Sequence, residues 1–157
     1  MKAQIFCVAV AMSFASVSAF AAELVVTTVP SGDNVAMAFD LVSDGNVAGL
    51  NFKLNVPGLA ESKAKLPKCV ADLPAGFNGG CSITKEGVYV YATSDAPGIT
   101  IPAGVSSIGS IVIANPAARA KAGAGLKLTV SELAIYDNDA KALSINSRID
   151  SGFTSRK

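Results

Sequence analysis

The sequence predicts an all-β protein folded as a single β-sandwich, and three observations carry that prediction. Apolar and polar residues alternate along nearly every segment instead of recurring at helical spacing, which is the pattern of half-buried strands. Turns bearing glycine or proline separate those runs at short intervals, and helical signals are scant. Beyond an N-terminal export segment only about 136 residues remain, enough for one core and not for two.

The export segment comes first. Met1 and Lys2 give a charged start, Ile5 to Met12 an apolar centre, and Ser16 to Ala22 a small-residue exit, which together make a secretory signal over 1–21. Cleavage after Ala21 satisfies an A-x-A rule through Ala19 and Ala21; cleavage after Ala19 or Ala22 satisfies it almost as well. A membrane-spanning helix needs roughly 20 apolar residues. Here Ser13, Ser16 and Ser18 break the run and no second one follows, so the mature protein is expected to be soluble and not membrane-spanning. Cys7 lacks the small residues that precede a lipidated N-terminus. Periplasm and extracellular medium both fit as the destination.

The strands follow in order. Leu24 to Val29 and then Val35, Met37, Phe39 and Leu41 open the domain. The clearest strand is Gly49 to Val56, with Leu50, Phe52, Leu54 and Val56 on the core side and Asn51, Lys53 and Asn55 on the wet side. Pro57-Gly58 ends it, Ala60 to Lys68 reads as loop or a short helical turn, and a brief strand lies near Val70. Cys81 to Lys85 and Val88 to Ala92 form a hairpin around Glu86-Gly87. Val105 to Ala114 is the next strand, and the alanine-rich bridge Pro116 to Gly125 has room for one helical turn. Leu126, Leu128 and Val130 then occupy even positions whereas Leu133 and Ile135 occupy odd ones. That change of phase predicts a β-bulge near Ser131-Glu132. A last strand runs from Ala142 to Ile145 after the turn Asp137-Asn138-Asp139.

Composition narrows the function. With Lys2 removed, the basic and acidic residues balance and no run of like charge remains, which argues against nucleic acid or an acidic membrane surface as partner. There is no histidine, so neither a histidine-based triad nor a histidine metal site is available. The acidic residues sit mostly in turns, where they read as solvated side chains and not as a glycosidase pair. Asp137-Asn138-Asp139 lacks the glycine and distal glutamate of a helical calcium loop. No enzyme, metal or cofactor is therefore expected. Cys69 and Cys81, in an exported protein, are expected to form a disulfide worth ~3 kcal/mol.

Three motifs in this order, Val47-Ala48-Gly49-Leu50-Asn51-Phe52-Lys53-Leu54, Glu86-Gly87-Val88-Tyr89-Val90-Tyr91-Ala92, and Leu126 to Tyr136-Asp137, make the chain resemble the cohesin family from Leu24 to about Ile145. The resemblance implies a jelly-roll sandwich of about nine strands over 22–146; the residues of 147–157 read as a flexible C-terminal tail. It also implies a non-catalytic module that binds a dockerin, often on secreted polysaccharide-degrading machinery. The implied protein-binding face carries Asn51, Lys53, Asn55, Ser82, Thr84, Val88, Val90, Lys127 and Thr129, with Tyr89 and Tyr91 turned inward. A cysteine pair is not a usual cohesin feature, and a lone module fits recruitment by a different protein partner as well. Two further readings stand beside it. One is carbohydrate binding through Phe77 in Gly76-Phe77-Asn78-Gly79-Gly80, or through the tyrosines, with a polysaccharide as partner. The other is self-assembly through exposed strand edges as a surface structural protein.

Overall fold

A computed structural model describes residues 22–32, 34–57, 59, 68–84, 86–114 and 127–151. The expected export segment, most of the stretch from Ala60 to Lys68 and the alanine-rich bridge lie outside the described residues. Ten strands form two five-stranded sheets. They are β1 (Ala22–Ser31), β2 (Asn34–Ser43), β3 (Gly49–Asn55), β4 (Lys68–Val70), β5 (Phe77–Ile83), β6 (Gly87–Ser94), β7 (Gly104–Ala114), β8 (Thr129–Tyr136), β9 (Ala142–Leu143) and β10 (Ile145–Ser151). The first sheet runs β10-β1-β2-β7-β4 and the second β5-β6-β3-β8-β9.

Alternation puts one side of each sheet into a shared core. Leu24 and Val26 from β1, Met37, Phe39 and Leu41 from β2, and Ile111 and Ile113 from β7 face Leu50, Phe52 and Leu54 from β3. Phe39 and Phe52 meet edge to face across the layers, with centroids 5.2 Å apart, the arrangement that ring quadrupoles favour. Each aromatic of this kind is worth several kcal/mol, so Phe52 anchors β3 and thereby the wet face on its other side.

The phase change in β8 is a bulge, as its sequence predicts. Asn51 opposes Ala134 but Lys53 opposes Ser131, so Glu132 and Leu133 together face Phe52. Glu132 adopts φ of 51°, and the Asn51 side-chain amide donates to its carbonyl at 2.7 Å. A second bulge, not expected, lies in β7. Phe39 opposes Gly109 and Asp40 opposes Ser107, so Ile108 is the inserted residue, and it is fully buried.

Two expectations are corrected. Residues 147–151 of the expected tail belong to β10, which pairs parallel with β1 from Ala22↔Ile145 to Thr28↔Ser151, and 152–157 lie outside the described residues. The single last strand expected over Ala142 to Ile145 is two: β9 adds to the second sheet, and the chain crosses at Ser144 to begin β10 in the first. The described residues thus hold ten strands where about nine were expected. The physical reason is that β10 is an edge strand with polar Asn146, Ser147, Arg148 and Asp150, and only Ile145 and Ile149 pack on the core. Its stability comes from a ladder with β1 in which each partner, as in Ala22↔Ile145, lies 123 positions away in sequence, which local pattern does not report.

Candidate functional site: the outer face of the second sheet

The outward positions of β5, β6, β3 and β8 line up in rows fixed by strand register. One row brings together Ser82, Tyr89, Lys53 and Ser131; the next Gly80, Tyr91, Asn51 and Ala134; the next Asn78, Thr93, Gly49 and Tyr136. Asn51, Lys53, Asn55, Ser82 and Thr129 occupy outward positions of these strands, and Thr84 is exposed just past β5. Lys127 is exposed just ahead of β8.

Val88 and Val90 do not belong to it. They are 0% and 1% exposed and form part of the core, while Tyr89 and Tyr91 point outward. The orientation implied by the resemblance is reversed for this strand. The register explains it: Val90 opposes Phe52 and Val88 opposes Leu54, so the valines share the buried side of β3. Phe77 is corrected too. It is 8% exposed and packs in the core as a plug, which leaves no open ring for a ligand.

Most polar groups at one end of the face are already committed. The Asn55 amide donates to the Thr129 hydroxyl at 3.2 Å and to Ser131 Oγ at 3.0 Å. Thr84 Oγ1 accepts from the backbone N–H of Gly87 at 3.2 Å and fixes the β5–β6 turn. Gly87 itself has no room for a side chain, since a Cβ there would sit 1.9 Å from the Leu54 carbonyl oxygen. Lys53 donates to Glu86, and Glu132 Oε1 lies 3.9 Å away. That hydrogen bond raises the lysine above its usual value; burial opposes it, and the charges of Glu86 and then Glu132 add to the rise. The same bond holds the Glu86 carboxyl below its usual range.

The other end differs. All three tyrosines of the chain, Tyr89, Tyr91 and Tyr136, line a groove of about 650 Å³ between the 93–97 and 136–140 segments. Tyr91 is 47% and Tyr136 38% exposed. Each ring lies over a glycine: a Cβ on Gly80 would be 3.5 Å from the Tyr91 hydroxyl, and one on Gly49 would be 3.9 Å from Tyr136 Cδ2. The rings of Tyr89 and Tyr91 are 6.4 Å apart and tilted by 31°. Reading Tyr136 as the end of a strand missed its place here; the signal was its even position past the bulge, which returns it to the wet face.

Cys81 lies in β5 opposite Val90, half-buried against the core. The backbone of Cys69 pairs with Ile111 in β4, and its side chain lies outside the described residues. Among the described residues no group of three or more His, Cys, Asp or Glu is placed to hold a metal ion. Nor is any helix there long and apolar enough to cross a membrane.

No family model matches the sequence, and no curated relative matches it. Solved structures do resemble the fold. A non-cellulosomal cohesin from the archaeon Archaeoglobus fulgidus is 13% identical, with a TM-score of 0.56 over 83% of this chain and 87% of that one. The third cohesin of ScaC from Acetivibrio cellulolyticus, solved in complex with the ScaB dockerin, is 14% identical, with a TM-score of 0.56 over 83% and 98%. A cohesin module of a family 33 glycoside hydrolase from Clostridium perfringens is 9% identical, with a TM-score of 0.52 over 85% and 99%. At such identities the likeness concerns architecture. The chain has a cohesin-like fold.

Proposed function

We propose that this protein is an exported, non-catalytic recognition module that holds a protein partner, dockerin-type or another, in the setting of polysaccharide breakdown. The partner sits on the outer face of β5, β6, β3 and β8. The observation that carries this reading is the placement of two well-exposed tyrosines, Tyr91 and Tyr136, on the outward side of a cohesin-like sheet. Large amphipathic rings concentrate binding energy at protein interfaces. The contact set is Asn51, Lys53, Asn55, Ser82, Thr84, Thr129 and Lys127 with Tyr89 and Tyr91 in place of Val88 and Val90. Export is supported by the pattern of residues 1–21. The Cys69–Cys81 bridge belongs to the same reading: an exported protein meets an oxidising compartment, and β5, which carries Cys81, lies beside β4, which carries Cys69.

The test is capture from the exported proteins of the source organism, with calcium and with chelator, by wild type, Lys53→Glu and Tyr91→Asp. A calcium-dependent partner lost by both variants is the expected result, because dockerin-type calcium repeats fold around the ion. Capture that is equal for all three proteins would remove this face from the function.

A further inference from the structure

We infer that the tyrosine groove is a receptor for a basic side chain, arginine above all, presented by the protein partner. This rests on the reading of the outer face as a protein-binding surface and goes beyond it by naming what the partner must carry.

Charge is the first argument. Among the described residues, the charged ones lining the groove are Asp95 and Asp137, and no lysine or arginine lines it. Beside them stand three aromatic faces, each negative over its ring. Carboxylate and ring face thus select the same kind of ligand, a cation. Arginine suits both better than lysine, since its planar guanidinium stacks on a ring while its edge pairs with a carboxylate. A neutral saccharide would use the rings but would leave two carboxylates without a counter-charge.

Preorganisation is the second. The Asn78 amide donates to Asp95 Oδ1, and the Asp95 backbone N–H donates to the Gly76 carbonyl at 2.8 Å. Asp137 Oδ1 accepts from the backbone N–H groups of Asp139 and Lys141, each at 2.9 Å. The two walls are tied together where the Gly98 N–H donates to Asn138 Oδ1 at 3.1 Å. Each carboxylate therefore spends Oδ1 on holding its loop and keeps Oδ2 for a ligand among the described residues. A receptor fixed beforehand loses less entropy when it binds.

The third argument is the state of the remaining face. Asn51, Asn55 and Thr84 already have partners within the fold, so displacing them returns little. The tyrosine end has the uncommitted groups.

The protein reports on this groove directly. It contains no tryptophan and its three tyrosines all line the site, so intrinsic emission comes from the groove alone. The purified protein is titrated with N-acetylarginine methylamide, with the neutral isostere N-acetylcitrulline methylamide, and with cellohexaose and xylohexaose. The expected result is a saturable change in tyrosine emission with the arginine probe only, weakened at least about threefold by Asp95→Asn and by added salt. Asp137→Asn, which keeps an Oδ1 acceptor for the turn, should weaken it likewise. Equal responses to arginine and citrulline, a saturable response to an oligosaccharide, or no response to arginine would overturn the inference. Any of these leaves partner capture by the sheet face standing, because that is read separately by the Tyr91→Asp and Lys53→Glu proteins.

Discussion

Substituting aspartate at two neighbouring positions of β6 separates the buried side of the second sheet from its binding side. Val90 is 1% exposed, opposes Phe52 on one flank and Cys81 on the other, and contributes to the central core. Removing the valine side chain forfeits about 1.5–3 kcal/mol of burial. The carboxyl that replaces it has no cation within the core, so it stays neutral there. Protonating an aspartate at pH 7, some three units above its ordinary value, costs about 4 kcal/mol more. The total of about 6 kcal/mol compares with the 5–15 kcal/mol that holds an ordinary domain together. Val90→Asp should therefore be largely unfolded near neutral pH, or melt at least about 20 °C lower. Because part of the penalty is the cost of protonation, it should recover partly near pH 4 relative to wild type. Tyr91→Asp places the same charge on the outward side, where a surface substitution costs about 1 kcal/mol or less. Its melting temperature should fall by no more than about 5 °C, with binding lost. The assay is thermal unfolding by circular dichroism at pH 7 and pH 4, beside partner capture. A Val90→Asp protein that melts with wild type, or a Tyr91→Asp protein that unfolds, would refute the assignment of the two sides.

Three further outcomes are expected. In Glu86→Gln the pair with Lys53 is gone; since the Glu86 carboxyl is held below its usual range, its contribution is present above that range and is lost as pH falls through the lowered value. Urea denaturation should thus find a small deficit at pH 7 that fades on acidification below the ordinary carboxylate range, and a deficit that grows on acidification would contradict the sign. Ala140 adopts φ of 58° in the turn closed by its N–H to the Asp137 carbonyl, so Ala140→Gly should stabilise by about 0.5–1 kcal/mol where the extended control Ala134→Gly destabilises. For the proposed Cys69–Cys81 bridge, mass spectrometry of the untreated protein should find a peptide pair joined through those residues, and reduction should cost ~3 kcal/mol; free thiols at both positions would dismiss it.

The parts of this fold that the sequence exposes are those in which local alternation and burial coincide. β3 is the clearest: Leu50, Phe52 and Leu54 are buried and Asn51, Lys53 and Asn55 are not, as period two demands. The β8 bulge was legible because apolar residues flank it on both sides and change phase across it. The β7 bulge was not, because serines at 106, 107 and 110 blur the phase around Ile108. β6 failed for a different reason. Valine and tyrosine are both strand formers, so Val88-Tyr89-Val90-Tyr91 alternates equally well with either side inward. Only its register against β3 decides, and register is a long-range property. The same long-range origin hides β10, whose polar residues look like a tail until β1 is placed beside them.

That ambiguity in β6 is where the functional consequence lies. With the valines inward, the sheet gains branched, compact side chains against Phe52 and Leu54, which pack without strain opposite two other core residues. The tyrosines are then left outside, and the glycines at 49 and 80 give Tyr136 and Tyr91 backbone to lie over instead of neighbouring side chains to contend with. A sheet face whose polar groups are bonded to one another offers a partner little beyond shape, as the Asn55 and Thr84 end does here. The end that keeps exposed rings and carboxylate oxygens has energy to give on contact. Recognition should accordingly be lopsided, concentrated toward Tyr91 and Tyr136 and nearly indifferent to substitutions at Thr84 and Thr129.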